Sequence, residues 1–186
     1  MKSKIIIVFI LVTASALPGM AQQHLNAGLG YFGQQVIHPG VVLEMELEKF
    51  HSHTFSLPLR ANVGYCHTPD YQYLFFDLHK GLRKYVNSSL FFEQSLGVGV
   101  MATDYRENGA WYIDQFNNLL FPRDGLNISF MPSVTLGVGY DLSEDQGARN
   151  RIWIRSKIYW NLGLRGMETP FTALMVGYSH TLNTHN

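Results

Sequence analysis

The chain has 186 residues with 14 Lys+Arg against 14 Asp+Glu, a balance that gives no reason to expect nucleic acid as a partner. Its single cysteine, Cys66, rules out an intrachain disulfide. After residue 21 no stretch is long and apolar enough to cross a bilayer as a helix, which takes about 20 residues.

Residues 1–21 read as a cleaved secretory signal peptide. Lys2 and Lys4 give the positive start, IIIVFILV (5–12) the apolar run, and Gly19-Met20-Ala21 the small residues before a cut at Gln22. Its removal takes two lysines and no acid, leaving 12 basic residues against 14 acidic. Residues 22–186 suit one domain. An exported chain without a membrane helix is periplasmic, secreted, or a β-barrel of an outer membrane.

Period-two alternation runs through almost all of this domain and predicts eight strands, at 24–34, 40–50, 53–66, 71–84, 89–103, 125–141, 150–163 and 170–182. Turn chemistry separates them: His38-Pro39-Gly40, Thr68-Pro69-Asp70, Asn87-Ser88-Ser89, SEDQGARN (143–150) and GMETP (166–170). Residues 104–124 form the one long connection. Pro58 and Pro132 each delete a donor from a ladder.

Each strand sorts into two faces. In VVLEMELE (41–48), Val41, Leu43, Met45 and Leu47 oppose Glu44, Glu46 and Glu48. Across the strands the polar faces collect Glu44, Glu46, Glu48, Asp77 and Glu93 with Arg60, His79, Arg83, Arg155 and Lys157, interspersed with glycines and hydroxyls. The apolar rows have the length that a tilted strand needs to cross hydrocarbon, about 9–11 residues. The small residues between the charges suit a crowded interior better than an open surface. With the first strand rising from the periplasmic side, Tyr31, Tyr65 and Trp160 fall at the outer ends of the apolar faces. Phe55, Tyr140 and Tyr178 then fall at the inner ends, giving two aromatic belts at headgroup level. The same threading puts 104–124 outside.

This pattern resembles the small eight-stranded outer-membrane barrels of Gram-negative bacteria, the OmpA/OmpX group. The likeness covers the whole domain as a pattern and carries no family-specific motif. Locally, MVGYSHTL (175–182) looks like the C-terminal strand signal read by the outer-membrane assembly machinery, departing from it at His180 and in the four residues after Leu182. The resemblance implies outer-membrane lipid and that assembly machinery as partners.

Three motifs point elsewhere and lose on context. Residues 28–33 (GLGYFG) satisfy GxGxxG and 97–102 (GVGVMA) its alanine variant, but neither opens a helix that would hold a pyrophosphate. His51-Ser52-His53 places two imidazoles on one side of a turn without a third metal ligand nearby. Ser179 and His180 are neighbours in a strand, so they point to opposite faces and cannot act as nucleophile and base. No cofactor, metal or catalytic residue is expected.

The expectation is therefore an all-β, eight-stranded antiparallel up-and-down transmembrane β-barrel. Its interior is filled by paired charges, with Arg60, Arg83, Arg155 and Lys157 neutralising the glutamates, and its role is structural or one of surface interaction. The 104–124 loop offers Trp111, Tyr112, Phe116 and Phe121 among Arg106, Glu107, Asp114 and Arg123, a composition suited to a surface partner. The rival readings are a lipid A-modifying barrel enzyme, a narrow channel through the charged interior, and a soluble periplasmic lipocalin-like binding protein.

Overall fold

The computed structural model describes residues 23–50, 52, 54–69, 71–86, 89–105, 112–113, 119–120, 126–142, 150–162 and 170–185, and no helix occurs among them. The first five strands are β1 (Gln23–Gln34), β2 (His38–Phe50), β3 (Phe55–His67), β4 (Tyr71–Tyr85) and β5 (Leu90–Tyr105). Two short strands, β6 (Tyr112–Ile113) and β7 (Leu119–Leu120), pair with each other within the long connection. The wall resumes with β8 (Leu126–Phe130), β9 (Ser133–Asp141), β10 (Asn150–Trp160) and β11 (Pro170–His185).

The strands of the wall pair antiparallel, each with the next in sequence except that β8 and β9 both pair with β5, and β1 with β11 completes the ring. The predicted strand 125–141 is two strands, because Pro132 has no N–H to give the ladder. The register does not slip across the break: Val100 pairs with Phe130 and Gly97 with Ser133, a constant offset. On the other side the Trp160 amide donates to the Pro132 carbonyl at 3.0 Å and Phe130 bridges to Leu162. β8 and β9 thus make one stave, and the molecule is a closed eight-stranded barrel. Pro58 interrupts the β3–β4 ladder in the same way, between the Ser56–Arg83 and Leu59–Lys80 pairs.

Following pairs around the wall gives the stagger. Leu25 leads through Leu47, Leu59, Lys80, Leu96, Val134 and Ile158 to Thr172, whose carbonyl accepts from the Gln35 amide at 2.8 Å. One circuit therefore advances β1 from residue 25 to residue 35. With about 3.3 Å per residue and about 4.8 Å between strands, that stagger tilts the staves by about 40° and gives a backbone radius of about 8 Å. A cylinder of that size has room inside for side chains and little else.

The alternation sorts cleanly. Val41, Leu43, Met45, Leu47, Leu59, Val63, Leu74, Phe76, Leu78, Leu96, Val98, Val100, Ile152 and Ile154 face outward and are exposed, forming an apolar girdle. Inside, large groups lie over glycines of the neighbouring strand. Phe75 is paired with Gly64, His79 with Gly97, Phe91 with Gly139 and Trp153 with Gly177, each ring occupying the space that a Cβ would need. The strand glycines of both GxGxx patterns serve this packing: Gly30 faces the Trp153 ring and Gly97 the His79 imidazole.

One turn is built against preference. In the β1–β2 connection Gln35 and Val36 have φ of 51° and 70°, a left-handed pair that a tight hairpin favours but a β-branched residue resists. The Tyr31 hydroxyl holds the turn by donating to the Val36 carbonyl at 3.0 Å. Val36→Gly is expected to raise unfolding stability by about 1 kcal/mol. Urea titration of the folded barrel would show this as a higher midpoint; an unchanged or lower one would mean the turn is not strained.

Candidate functional site: a charge-paired lumen with an aromatic plug

The two ends of the barrel differ. One bears the 106–125 connection, here the loop end; at the opposite end β1 begins and β11 stops. Most of the charged residues that alternation turns inward come from the half of each strand nearer that opposite end, and Asp77 and Lys157 lie farther toward the loop end. They meet first as register partners: Glu46 lies beside Arg60, Arg83 beside Glu93, and Asp141 beside Arg151. Such cross-strand neighbours are the elementary contacts of a sheet.

The partners then reach across the lumen. Glu46 is the hub: Arg60 lies at 3.1 Å, Arg83 at 2.8 Å and Arg151 at 3.0 Å, and the Asn26 amide donates to it at 3.2 Å. Glu48 takes Arg83 at 2.7 Å and Arg151 at 2.9 Å, and accepts from the Ser56 and Tyr85 hydroxyls. Glu93 takes Arg60 at 2.9 Å, Arg83 at 2.6 Å, and Arg155. Glu44 pairs with Arg155, and with Arg60 at 3.3 Å. All are buried, so each charge depends on its partners, not on water. Guanidinium forks suit this role because each addresses two or three carboxylates in fixed geometry.

Midway along the axis the pattern changes. Lys157 does not reach the three glutamates, as expected from sequence, but pairs with Asp77. The reason is the stagger: Lys157 enters the lumen on the loop-end side of Arg155, level with Asp77 and facing aromatic rings. Its ammonium lies 4.5 Å from the Phe75 ring centre and 5.6 Å from that of Tyr159. Asp77 also accepts from the Asn62 amide at 2.7 Å and lies 3.3 Å from His79 Nε2.

Beyond Lys157 the lumen is filled by Phe32, Tyr73, Phe75, Met101, Met131, Tyr159, Ala173 and Met175, with the Tyr73 and Tyr159 hydroxyls 3.1 Å apart. Phe32 and Phe75 have ring centres 4.9 Å apart. Tyr71 and Phe171 pack on this cluster, and Gln34 donates to the Tyr71 hydroxyl at 2.8 Å. Alternation alone did not reveal that Tyr159 and its neighbours form an aromatic plug. It also missed Arg151 and Asp141, which complete the network at 2.7 Å.

Among the described residues six carboxylates therefore face five permanent cations and His79 inside the barrel. Chemically the arrangement locks rather than reacts. Ser95 and Ser133 hydroxyls lie 3.3 Å from His79 Nδ1 and Nε2, and Asp77 beside Nε2 completes a serine–histidine–aspartate set. All four are buried behind the wall, and Asp77 is already committed to Lys157, so no substrate carbonyl reaches the hydroxyls. Ser179 points inward and His180 outward, the latter against Asn150 Oδ1 at 2.7 Å.

On the outer face Tyr31, Tyr65, Phe55, Tyr140 and Tyr178 are exposed, and Trp160 is partly covered. Trp111, Phe116, Phe121, His51 and His53 lie outside the described residues, and only the backbone of Tyr112 is described.

No protein-family model matches the sequence, and no curated protein is similar to it. Among solved structures the barrel is similar to Neisserial surface protein A, with a TM-score of 0.52 and 7% identity over 87% of this chain and 96% of that one. It is also similar to Ail, the attachment invasion locus protein of Yersinia pestis, with a TM-score of 0.51 and 6% identity over 87% and 97%. At such identities the likeness is one of fold. The chain has the fold of small outer-membrane barrels, with a buried and charge-paired interior.

Proposed function

We propose that the protein is exported through a cleaved signal peptide, residues 1–21, and inserted in the outer membrane of a Gram-negative bacterium. There it is a rigid, non-catalytic barrel that holds the 104–124 loop at the cell surface for interaction with a partner. The observation that carries this reading is the filled lumen. Among the described residues a guanidinium–carboxylate lattice fills one half and an aromatic plug the other, which supports a barrel that neither conducts nor catalyses. What differs between the two ends is then the loop, whose Trp111, Tyr112, Phe116 and Phe121 among charges suit a contact surface. The apolar girdle supports contact with outer-membrane lipid, and MVGYSHTL (175–182) supports delivery by the barrel assembly machinery.

Membrane fractionation, gel migration with and without boiling, and surface labelling test this together. The expected result is an outer-membrane band that shifts on boiling, no steady conductance in planar bilayers, and an epitope inserted between Asn117 and Asn118 that antibody reaches on intact cells. A soluble protein with no shift would overturn the membrane placement. An epitope reached only after permeabilisation would overturn the surface role.

A further inference from the structure

The two tight turns at the loop end differ in character. The β3–β4 turn reads Thr68-Pro69-Asp70, whereas the β1–β2 turn presents Val36 and Ile37. These are 60% and 74% exposed, and Ile37 is the most exposed large apolar residue among those described. No Asp, Glu, Lys or Arg occurs from Gln22 to Leu43, so this hairpin carries no formal charge. Its contacts fix where the tip points. The Gln35 amide donates to the Thr172 carbonyl at 2.8 Å, tying the base of the turn to β11, and the Val36 amide donates to the Gly33 carbonyl at 3.2 Å. Tyr31 stands on the outward face, and its hydroxyl donates to the Val36 carbonyl at 3.0 Å. The ring reaches that far because Gly33, the next outward position on β1, has no side chain; a Cβ there would lie 2.6 Å from the Tyr31 ring. A side chain rooted on the outer wall holds the turn from outside, so the tip leans over the apolar girdle and not over the lumen. Below it the girdle continues through the register pairs Tyr31–Val41 and Leu29–Leu43, all four exposed.

We propose that the β1–β2 tip is a lipid anchor: Ile37, flanked by Val36, seats in the interfacial layer of the leaflet next to the loop end, and the Tyr31 hydroxyl is the latch that folds it there. Continuity selects the occupant. The tip extends the lipid-facing girdle at the level that Tyr31 marks, where amphipathic rings prefer the headgroup region. Having no charge, it gains by burying apolar surface at the boundary of headgroups and acyl chains. The φ of 70° at Val36 fits the same account, because strain of this kind persists where the surroundings over-determine it and marks sites used for more than folding. Seated in lipid, the tip fixes the depth of the loop-end rim on the β1–β2 side.

This proposal rests on the membrane placement above, and one experiment separates the two. A nitroxide is attached to Ile37→Cys, and separately to Leu43→Cys on the girdle and to Ser52→Cys in an exposed turn at the opposite end. Cys66 is buried, and the parent barrel treated alike supplies the blank. Each barrel is placed in phosphatidylcholine nanodiscs, both faces of which meet solvent. Relaxation of the label by oxygen, which gathers among acyl chains, is compared with relaxation by a water-soluble nickel chelate. Nickel contact at position 37 is expected to be about tenfold below that at position 52, the factor that burial of one aliphatic side chain supplies. Adding Tyr31→Phe keeps the ring and removes the latch. Nickel contact at position 37 should then rise about fivefold, the factor of one net hydrogen bond, with the boiling shift unchanged. Equal nickel contact at positions 37 and 52, with position 43 still favouring oxygen, overturns the anchor. A signal at position 37 that ignores Tyr31→Phe overturns the latch. A label at position 43 that meets nickel as freely as one at position 52 overturns the membrane placement instead.

Discussion

Arg83→Met is expected to cost the barrel about 3–5 kcal/mol, the loss that follows when one member of a buried ionic network is removed and its partners stay behind. Arg83 is bound by Glu46 at 2.8 Å, Glu48 at 2.7 Å and Glu93 at 2.6 Å, and its guanidinium stacks 4.4 Å from the Phe91 ring centre. Methionine fills the volume and keeps the ring contact, so the experiment isolates the charge. Arg60, Arg151 and Arg155 still offset part of the negative potential, and for that reason the loss stays within this range. Arg83→Lys should fall between parent and Met: it restores one positive charge but not the fork that addresses three carboxylates at once. Urea unfolding of the vesicle-inserted barrel, followed by the boiling-sensitive gel band, reads both variants. A methionine variant within about 1 kcal/mol of the parent would show that the lattice is not what holds the lumen together.

A comparable loss is expected from a methyl-sized intrusion at the other kind of interior contact. Gly177 pairs with Gly30 on one side and Trp153 on the other, and the indole fills the space where its Cβ would go. The Leu29 carbonyl lies 2.8 Å from the same point, so backbone as well as ring stands in the way. Gly177→Val should therefore destabilise by about 3 kcal/mol or prevent closure, at the upper end of overpacking effects. Adding Trp153→Ala opens the indole side and should recover part of the loss, although it removes the ring stacked 3.9 Å from the Arg155 guanidinium. Recovery in the double variant identifies the glycine as a seat for tryptophan. An equally unstable double variant would place the whole cost on the Leu29 backbone.

The sequence revealed faces more readily than contacts. Alternation assigned Glu44, Glu46, Glu48, Arg60 and Glu93 to one side of their strands because each strand is long enough for several repeats of the pattern. Arg151 and Asp141 escaped since they sit at strand ends, where too few alternations remain to define a face. Lys157 was assigned to the glutamates because face and charge are the only guides in one dimension. Its partner Asp77 is fixed by the ten-residue advance per circuit, and that quantity is a property of the closed ring. The plug was hidden for a similar reason: Phe32, Phe75 and Tyr159 lie 43 and 84 positions apart along the chain, and only closure stacks them. The split at Pro132 follows from the missing N–H, a mark that the sequence did carry.

The division of the lumen into a charged half and an aromatic half bears on how such a barrel enters a bilayer. In the placement proposed above, the loop end leads and the opposite end stays on the side of entry. The leading part of the interior, Phe32, Cys66, Tyr73, Phe75, Met101, Met131 and Tyr159, meets formal charge only in the Lys157–Asp77 pair at its inner edge among the described residues. Glu44, Glu46, Glu48, Arg83, Glu93, Asp141 and Arg151 trail behind it. The ions of this lattice thus move with their partners into position from the aqueous side, and the Lys157–Asp77 pair at mid-barrel goes in as a matched couple, so no lone charge has to stand unshielded at the hydrocarbon midplane, where it is most costly. The same polarity makes the route one-way: a folded barrel withdrawn or inverted would have to drag its arginine lattice through the membrane.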